Sequence, residues 1–478
     1  MTQQSSISRR SFLSSGTAAL LTTTAFDARN PFSLISRALL PPADPTVIEA
    51  TMRSIDINGK SAKMMALHHA NGKTGLNLDV NQPFNVLLQN KLPVPTSIHW
   101  HGLHPPNDQD GVPNLTQPAI QPGANYAYQF PTRPAGTHWM HSHEGLQEAF
   151  LLAAPLIVHD PVNEPADEQQ VILFLGDFSF TTPTEILARL RKPMAKAMSM
   201  SSGKPDANDV DYDAYLANDR TLTDPEVVRV EKNGKIRLRI INGSSATNYF
   251  IHLGALKGDL IATDGIPVQP INGPQFPLAV AQRIDVRIQL PREGAFPILA
   301  LRENATEQTG FILATAGATI KKIPLKNETP AGLLNLDLES RLTAAPQPPE
   351  RPIDRTFELR LGGNMQKYEW PINGTVFNVA DPRSEKPAIL VKPGQRAAIK
   401  FVNETRMSHP MHLHGHTFQV IEINGKPLHG ALRDTILVTP NSTVTVAFDA
   451  DNPGTWYVHC HILWHLAAGM AALVRYET

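Results

Sequence analysis

Four His-X-His pairs and one cysteine carry most of the chemistry legible in this chain. The pairs are His99 with His101, His141 with His143, His412 with His414, and His459 with His461; Cys460 sits inside the last. Residues i and i+2 of an extended strand share a face, so each pair projects two imidazoles the same way. Eight imidazoles are too many for one zinc or copper ion. They suit a cluster of three ions with open positions for a substrate. Cys460 has the opposite parity, and so does His409, three residues before His412. Together with His465 and Met470 they supply two histidines, a cysteine and a methionine, the ligand set of a blue-copper electron-transfer centre. Zinc also takes Cys and His, but a Cys-X4-His-X4-Met set beside eight histidines is a copper pattern. The strand bearing Cys460 would hold one copper on one face and two others on the opposite face, joined by a short covalent path for electrons. The histidines at 68, 69, 104, 138, 159, 252, 416 and 429 are read as surface or packing residues. His138 has the wrong parity to join His141 and His143, and His416 lies past Gly415, where the strand should bend.

Such a site needs strands to hold it, and the sequence supplies them. Alternating apolar and polar runs occur at 84–90, 236–243, 283–290, 397–403 and 443–449, the period of a half-buried strand. Asn-Gly and Asp-Gly turn signals separate them. Helical periodicity is confined to 185–198. The His-X-His pairs come in two sets far apart in sequence, with room for a third unit between them. We therefore read an all-β chain of three related sandwich domains at 40–162, 168–325 and 350–478, of which only the outer two bear metal ligands. The linkers are 159–170 and a longer polar, proline-rich stretch at 325–355.

The chain has 478 residues, a formal net charge of -1, 18% charged residues, 41 prolines and 30 glycines. Near-neutral charge argues against nucleic acid or an anionic membrane as partner. Arg9 and Arg10 precede Phe12, Leu13 and a short, mildly apolar run, which reads as a twin-arginine export leader over 1–28 that engages the twin-arginine machinery. That run is too short to span a bilayer, so the mature chain is expected to be periplasmic or secreted, with no membrane span. An exported protein with one cysteine has no internal disulfide, which leaves Cys460 as a ligand or an inert core residue.

At this point the residues resemble a known family. HWHG at 99–102, HSH at 141–143, HPMHLHG at 409–415 and HCHILWHLAAGM at 459–470 look like the four copper-binding motifs of the laccase-like multicopper oxidases. DGVPNLTQ, RLRIING, ATDG and QRIDV are also similar to family stretches. The resemblance implies three cupredoxin-like Greek-key β-sandwiches. It implies four copper ions: type 1 at His409, Cys460 and His465 with Met470 axial, type 2 at His99 and His412, and a type 3 pair at His101, His141, His143, His414, His459 and His461. It also implies one-electron oxidation of a reducing substrate at type 1, with His465 as the point of electron uptake, and reduction of dioxygen to water at the cluster. Asp110 lies where the family places a carboxylate near the cluster, and Asp434 resembles a laccase acid that serves the solvent channel. The acids that relatives place just after the last type 1 histidine, or two residues after the HCH run, are here Leu466 and Leu463.

An axial methionine implies a type 1 potential low in the family range and easily oxidised donors. Phenols and aromatic amines are the first expectation. Cuprous ion is the alternative, because Met194, Met198 and Met200 offer soft thioethers. A copper nitrite reductase would lack the full set of four pairs, and a scaffold or binding protein on the same fold would lack the ligands.

Overall fold

The structure, a computed structural model, describes residues 44–165, 167–192, 207–363 and 365–477. The expected export leader and the Met194, Met198 and Met200 cluster lie outside the described residues. Among those described, no helix is long and apolar enough to cross a membrane.

Six sheets pack in pairs as three β-sandwiches, and the same wiring recurs in each. In one sheet the first strand pairs in parallel with a later one: Thr46–Ile57 with Pro83–Asn90, Glu168–Phe178 with Lys235–Asn242, and Arg355–Leu361 with Arg396–Asn403. In the facing sheet a short strand pairs in parallel with the last: Leu76–Asp79 with Ala153–His159, Val227–Arg229 with Gln308–Ala314, and Ile389–Val391 with Ala471–Tyr476. The middle unit, which lacks His-X-His pairs, is thus a copy of its neighbours. All five alternating runs are strands.

Each sandwich encloses its own apolar core. In the first, Trp100 turns away from its neighbours His99 and His101 and packs on Phe84 and Tyr128, at ring-centroid separations of 4.7 and 4.8 Å. Burying a side chain such as Phe84 contributes about 1.5–3 kcal/mol. That gain fixes strand parity and so fixes which way the flanking imidazoles point.

Two readings change. The helix spans only Pro183–Leu190, opened by a capping box between Thr182 and Glu185; Arg191 and Lys192 are outside it, and residues 193–206 are not described. The stretch 325–355 is not a loose linker. It buries Leu334, Leu336, Leu338 and Leu342, and its Glu339 pairs with Arg433 at 2.8 Å.

Candidate metal centre

Four short strands carry the site. Ile98–His101 pairs with Gly136–Ser142 so that His99 faces His141. His409–Leu413 pairs with Thr455–Cys460 so that His412 faces His459 and Met411 faces Cys460. The first pair of strands belongs to the first sandwich and the second pair to the third. Their imidazoles meet where the two sandwiches face each other.

The ligand atoms gather into groups within 4.8 Å: His101 with His141 and His461, His143 with His414 and His459, His99 with His101 and His412, and, apart from these, His409 with Cys460 and His465. Cys460 is buried and is the chain's one cysteine. Its Sγ lies 3.7 Å from His409 Nδ1 and 3.5 Å from His465 Nδ1, and those nitrogens are 3.1 Å apart. Met470 is fully buried in the same core, and its carbonyl accepts from the Cys460 N–H at 3.0 Å. Neither His138 nor His416 joins a cluster. His138 bonds the Pro134 carbonyl, and His416 bonds the His414 carbonyl and the Tyr476 hydroxyl.

The hydrogen bonds show what these nitrogens lack. A neutral imidazole has one N–H and one lone pair. His99 and His412 donate Nδ1–H to the carbonyls of Asp110 and Asp434, each at 2.9 Å. Their Nε2 atoms therefore both present lone pairs, yet they face each other at 3.4 Å. His414 donates Nδ1–H to Asp110 Oδ2 and His459 donates Nδ1–H to the Cys460 carbonyl, each at 2.9 Å; their Nε2 atoms meet at 3.0 Å. His101 Nδ1 and the Nε2 atoms of His141, His143 and His461 are buried with no partner at all. Opposed lone pairs and orphaned buried nitrogens are costly unless a cation lies between them. Burial also holds His101, His141, His143, His409, His412, His414 and His461 well below the ordinary histidine pKa, and His459 at about 4. They are neutral at pH 7, the form that binds metal. The Cys460 thiol is pushed up by the same burial, so without a cation beside it the thiolate would not form. The donor set fits copper: imidazoles in one site, imidazoles with a soft sulfur in the other.

Both acids singled out in the sequence lie against the imidazoles. Asp110 is fully buried, with Oδ1 3.2 Å from His99 Nδ1 and Oδ2 on His414. Gly111, at φ +85°, lets this turn lie against the first histidine strand; a Cβ there would sit 1.9 Å from the Ile98 carbonyl oxygen. Asp434 accepts from His101 Nε2–H at 3.0 Å, but it also holds the guanidinium of Arg283. It is 5% exposed, a carboxylate locked in an ion pair and not one lining open solvent.

Four further side chains, not expected from the sequence, line the histidines. Glu148, buried in a short turn, sets Oε2 3.0 Å from His141 Nδ1 and Oε1 3.9 Å from His461 Nδ1. Burial pushes its pKa well up. Asp209, its side chain 1% exposed, sets Oδ2 2.9 Å from His465 Nε2. Trp139 stacks on His141 at 4.2 Å, and Trp370 lies 4.2 Å from the His465 ring. Trp139 shares the parity of His141, which was signal enough to place it. Glu148 and Asp209 come from loops and left no periodic signal. A cavity of about 400 Å³ reaches His143 between Glu144, Tyr457, Leu463 and Leu466. At Leu463 and Leu466 its wall is apolar.

Known proteins share this organisation. Profiles described as "Multicopper oxidase" match residues 49–163, 169–318 and 350–478. Multicopper oxidase MmcO of Mycobacterium tuberculosis is 33% identical over 410 residues, covering 82% of this chain and 79% of its own. Copper resistance protein A of Escherichia coli is 27% identical, covering 98% of this chain and 99% of its own. The solved laccase from Botrytis aclada superposes with a TM-score of 0.75 at 23% identity, over 90% of this chain and 86% of that one. At that identity the likeness concerns the fold, a set of cupredoxin-like sandwiches.

Proposed function

Because the chain belongs to the multicopper oxidase family, we propose that it couples the one-electron oxidation of a small donor at the Cys460 site to the four-electron reduction of dioxygen to water at the eight-histidine site. The observation that carries this reading is the pairing of lone pairs, His99 against His412 and His414 against His459. In this reading His409, Cys460 and His465, with Met470, would hold a type 1 copper. His99 and His412 would hold type 2, and the His101, His141, His461 and His143, His414, His459 triplets would hold the type 3 pair. Four copper ions so held would supply one-electron acceptance at the first site and multi-electron dioxygen reduction at the second.

The chain's own residues do the rest. The backbone from Cys460 to its neighbours His459 and His461 would join the two sites by one continuous covalent path from Sγ to the imidazoles. Trp139 and Trp370 cover the histidine rings and keep water off them. Asp110, bonded to His414 and close to His99, is placed to hold a proton beside the dioxygen site. Asp434 steadies His101.

Asp209 bears on the donor. His465 is fully buried, so a phenol ring has no face or edge of that imidazole to lie against. A carboxylate stands over its outer nitrogen, and Asp209 Oδ1 is buried without a partner among the described residues. A buried carboxylate beside the acceptor site attracts a cation over a neutral phenol, which favours a metal-ion donor, and a relative named for copper resistance supports cuprous ion among such donors. The second reading keeps phenols and aromatic amines, whose O–H or N–H the same oxygen would accept; a laccase-like fold supports it. Arg9 and Arg10 support delivery through twin-arginine export, and the three-unit division at 40–162, 168–325 and 350–478 belongs to the same reading.

Oxygen uptake by copper-loaded protein, with cuprous ion and an electron-rich phenol supplied separately, tests it. Faster uptake with cuprous ion is expected. Faster uptake with the phenol would make the enzyme a laccase, and no uptake with either would remove the oxidase reading.

A further inference from the structure

The imidazoles of the eight-histidine site are not all held alike. His99, His141, His412, His414 and His459 each give Nδ1–H to an oxygen and leave Nε2 as the free nitrogen. His101 is reversed. Its Nε2 bonds Asp434 Oδ1 at 3.0 Å and Thr435 Oγ1 at 3.2 Å, and Nδ1 is left without a partner. The carboxylate of Asp434 therefore decides which nitrogen His101 offers.

Arg283 in turn decides where that carboxylate lies. It comes from the strand Arg283–Gln289 of the middle sandwich, which carries none of the eight histidines. Its side chain is fully buried, and every donor group is committed. NH1 and NH2 grip Asp434 Oδ1 and Oδ2 at 2.7 and 2.6 Å. Nε donates to the Thr137 carbonyl at 3.0 Å, on the strand that carries His141; NH2 and NH1 also reach the carbonyls of Asp264 and Ala281. A planar fork of five donors does this, and a lysine does not. The chain makes room for it. A Cβ at Gly102, next to His101, would lie 2.5 Å from Arg283 NH2 and 3.0 Å from Asp434 Oδ2. Beyond it Asp264 pairs with Arg433, and Arg433 with Glu339, so the buried charges are compensated.

We propose that Arg283 is a positioning residue of the eight-histidine site: by clamping Asp434 it fixes His101 with Nε2 protonated and Nδ1 free, so that the sandwich without ligands sets the geometry of a ligand. The proposal rests on the three-copper reading of that site.

The experiment compares copper-loaded Arg283→Gln, Arg283→Lys and Asp434→Asn with the wild type and with Arg237→Gln. Arg237 lies on the neighbouring strand and pairs with Asp285 and Glu164, away from any of the eight histidines. The readouts are copper per chain during dialysis against a chelator, the near-ultraviolet band of the coupled copper pair, and the blue band of the Cys460 site. Loss of a ligand's outer partner typically weakens metal retention 10–100-fold. A loss in that range is expected for Asp434→Asn, the outer partner itself, and about a tenfold loss for both Arg283 variants, one step further out, with the coupled-pair band reduced and the blue band kept. Arg237→Gln should keep both bands. If Arg283→Gln fails to fold, Arg283→Lys and the isosteric Asp434→Asn decide. Full copper retention and an unchanged coupled-pair band in the Arg283 variants, at whatever thermal stability, would overturn the proposal. A wild-type chain that never shows that band would overturn the three-copper reading, and this proposal with it.

Discussion

Asp209 Oδ2 lies 2.9 Å from His465 Nε2, and the same oxygen accepts the Tyr368 hydroxyl at 2.6 Å. A loop of the middle sandwich thus closes over the outer edge of a histidine whose inner nitrogen faces Cys460. His465 Nε2 has no hydrogen-bond partner among the described residues, so the carboxylate acts as a buried charge beside the ring; Asp209→Asn should slow oxidation of a cationic donor, about tenfold for each ~1.4 kcal/mol of attraction lost. The blue absorption of the Cys460 site should survive, since none of the atoms facing Sγ is altered. Stopped-flow reduction of that band by cuprous ion reads the rate directly; an unchanged rate would remove Asp209 from the electron path.

Cys460→Ser should separate the two sites. An alcohol oxygen is a poor ligand where a soft thiolate is required. The blue band should vanish and donor-driven oxygen uptake should fall to background. Copper at the eight-histidine site should remain, seen as its near-ultraviolet band. Persistent steady-state uptake would mean that electrons reach the histidine cluster by another route.

Glu148 joins histidines of the first and third sandwiches, His141 and His461. Glu148→Ala should weaken copper retention about 10–100-fold, the usual effect of losing a ligand's outer carboxylate. Glu148→Gln, which keeps a polar group of the same shape beside His141, should lose less. Elemental analysis after chelator dialysis distinguishes them.

His104 sets a pH dependence that copper does not mask. Burial lowers its pKa from 6.5 to about 3, with His416 and Arg133 adding to the effect, and its Nε2 bonds Thr417 Oγ1 across to the third sandwich. The unfolded chain binds this proton below pH 6.5 and the folded chain does not until about pH 3. Its contribution is therefore complete above 6.5 and is lost as the pH falls toward 3, at roughly 1.4 kcal/mol per pH unit. Between pH 6.5 and 4.5 the wild type should lose roughly 2 kcal/mol more than His104→Asn. Urea unfolding of both proteins at the two pH values measures this difference.

Strand parity made much of this readable in advance. His99 and His101 straddle Trp100, whose burial leaves no choice of face, and the same period separates Cys460 from His459 and His461. Those positions follow from local geometry, as do the five alternating strands. Asp209, Glu148 and Arg283 do not. They reach the site from loops or from another sandwich, and only tertiary packing decides that Arg283 meets Asp434 or that Asp209 caps His465. Asp434 shows the limit well. Its motif suggested an acid serving a solvent channel, but it is buried and its partner is a guanidinium from a unit without ligands. The stretch 325–355 looked like a linker because its prolines and polar residues dominate, yet its spaced leucines pack it down.

The most direct test counts electrons: donor oxidised against dioxygen consumed, in copper-loaded protein, with peroxide assayed alongside. Four donor electrons per dioxygen, no free peroxide, and no uptake by the copper-free chain are expected. Two electrons per dioxygen with peroxide released, or uptake that persists without copper, would contradict it.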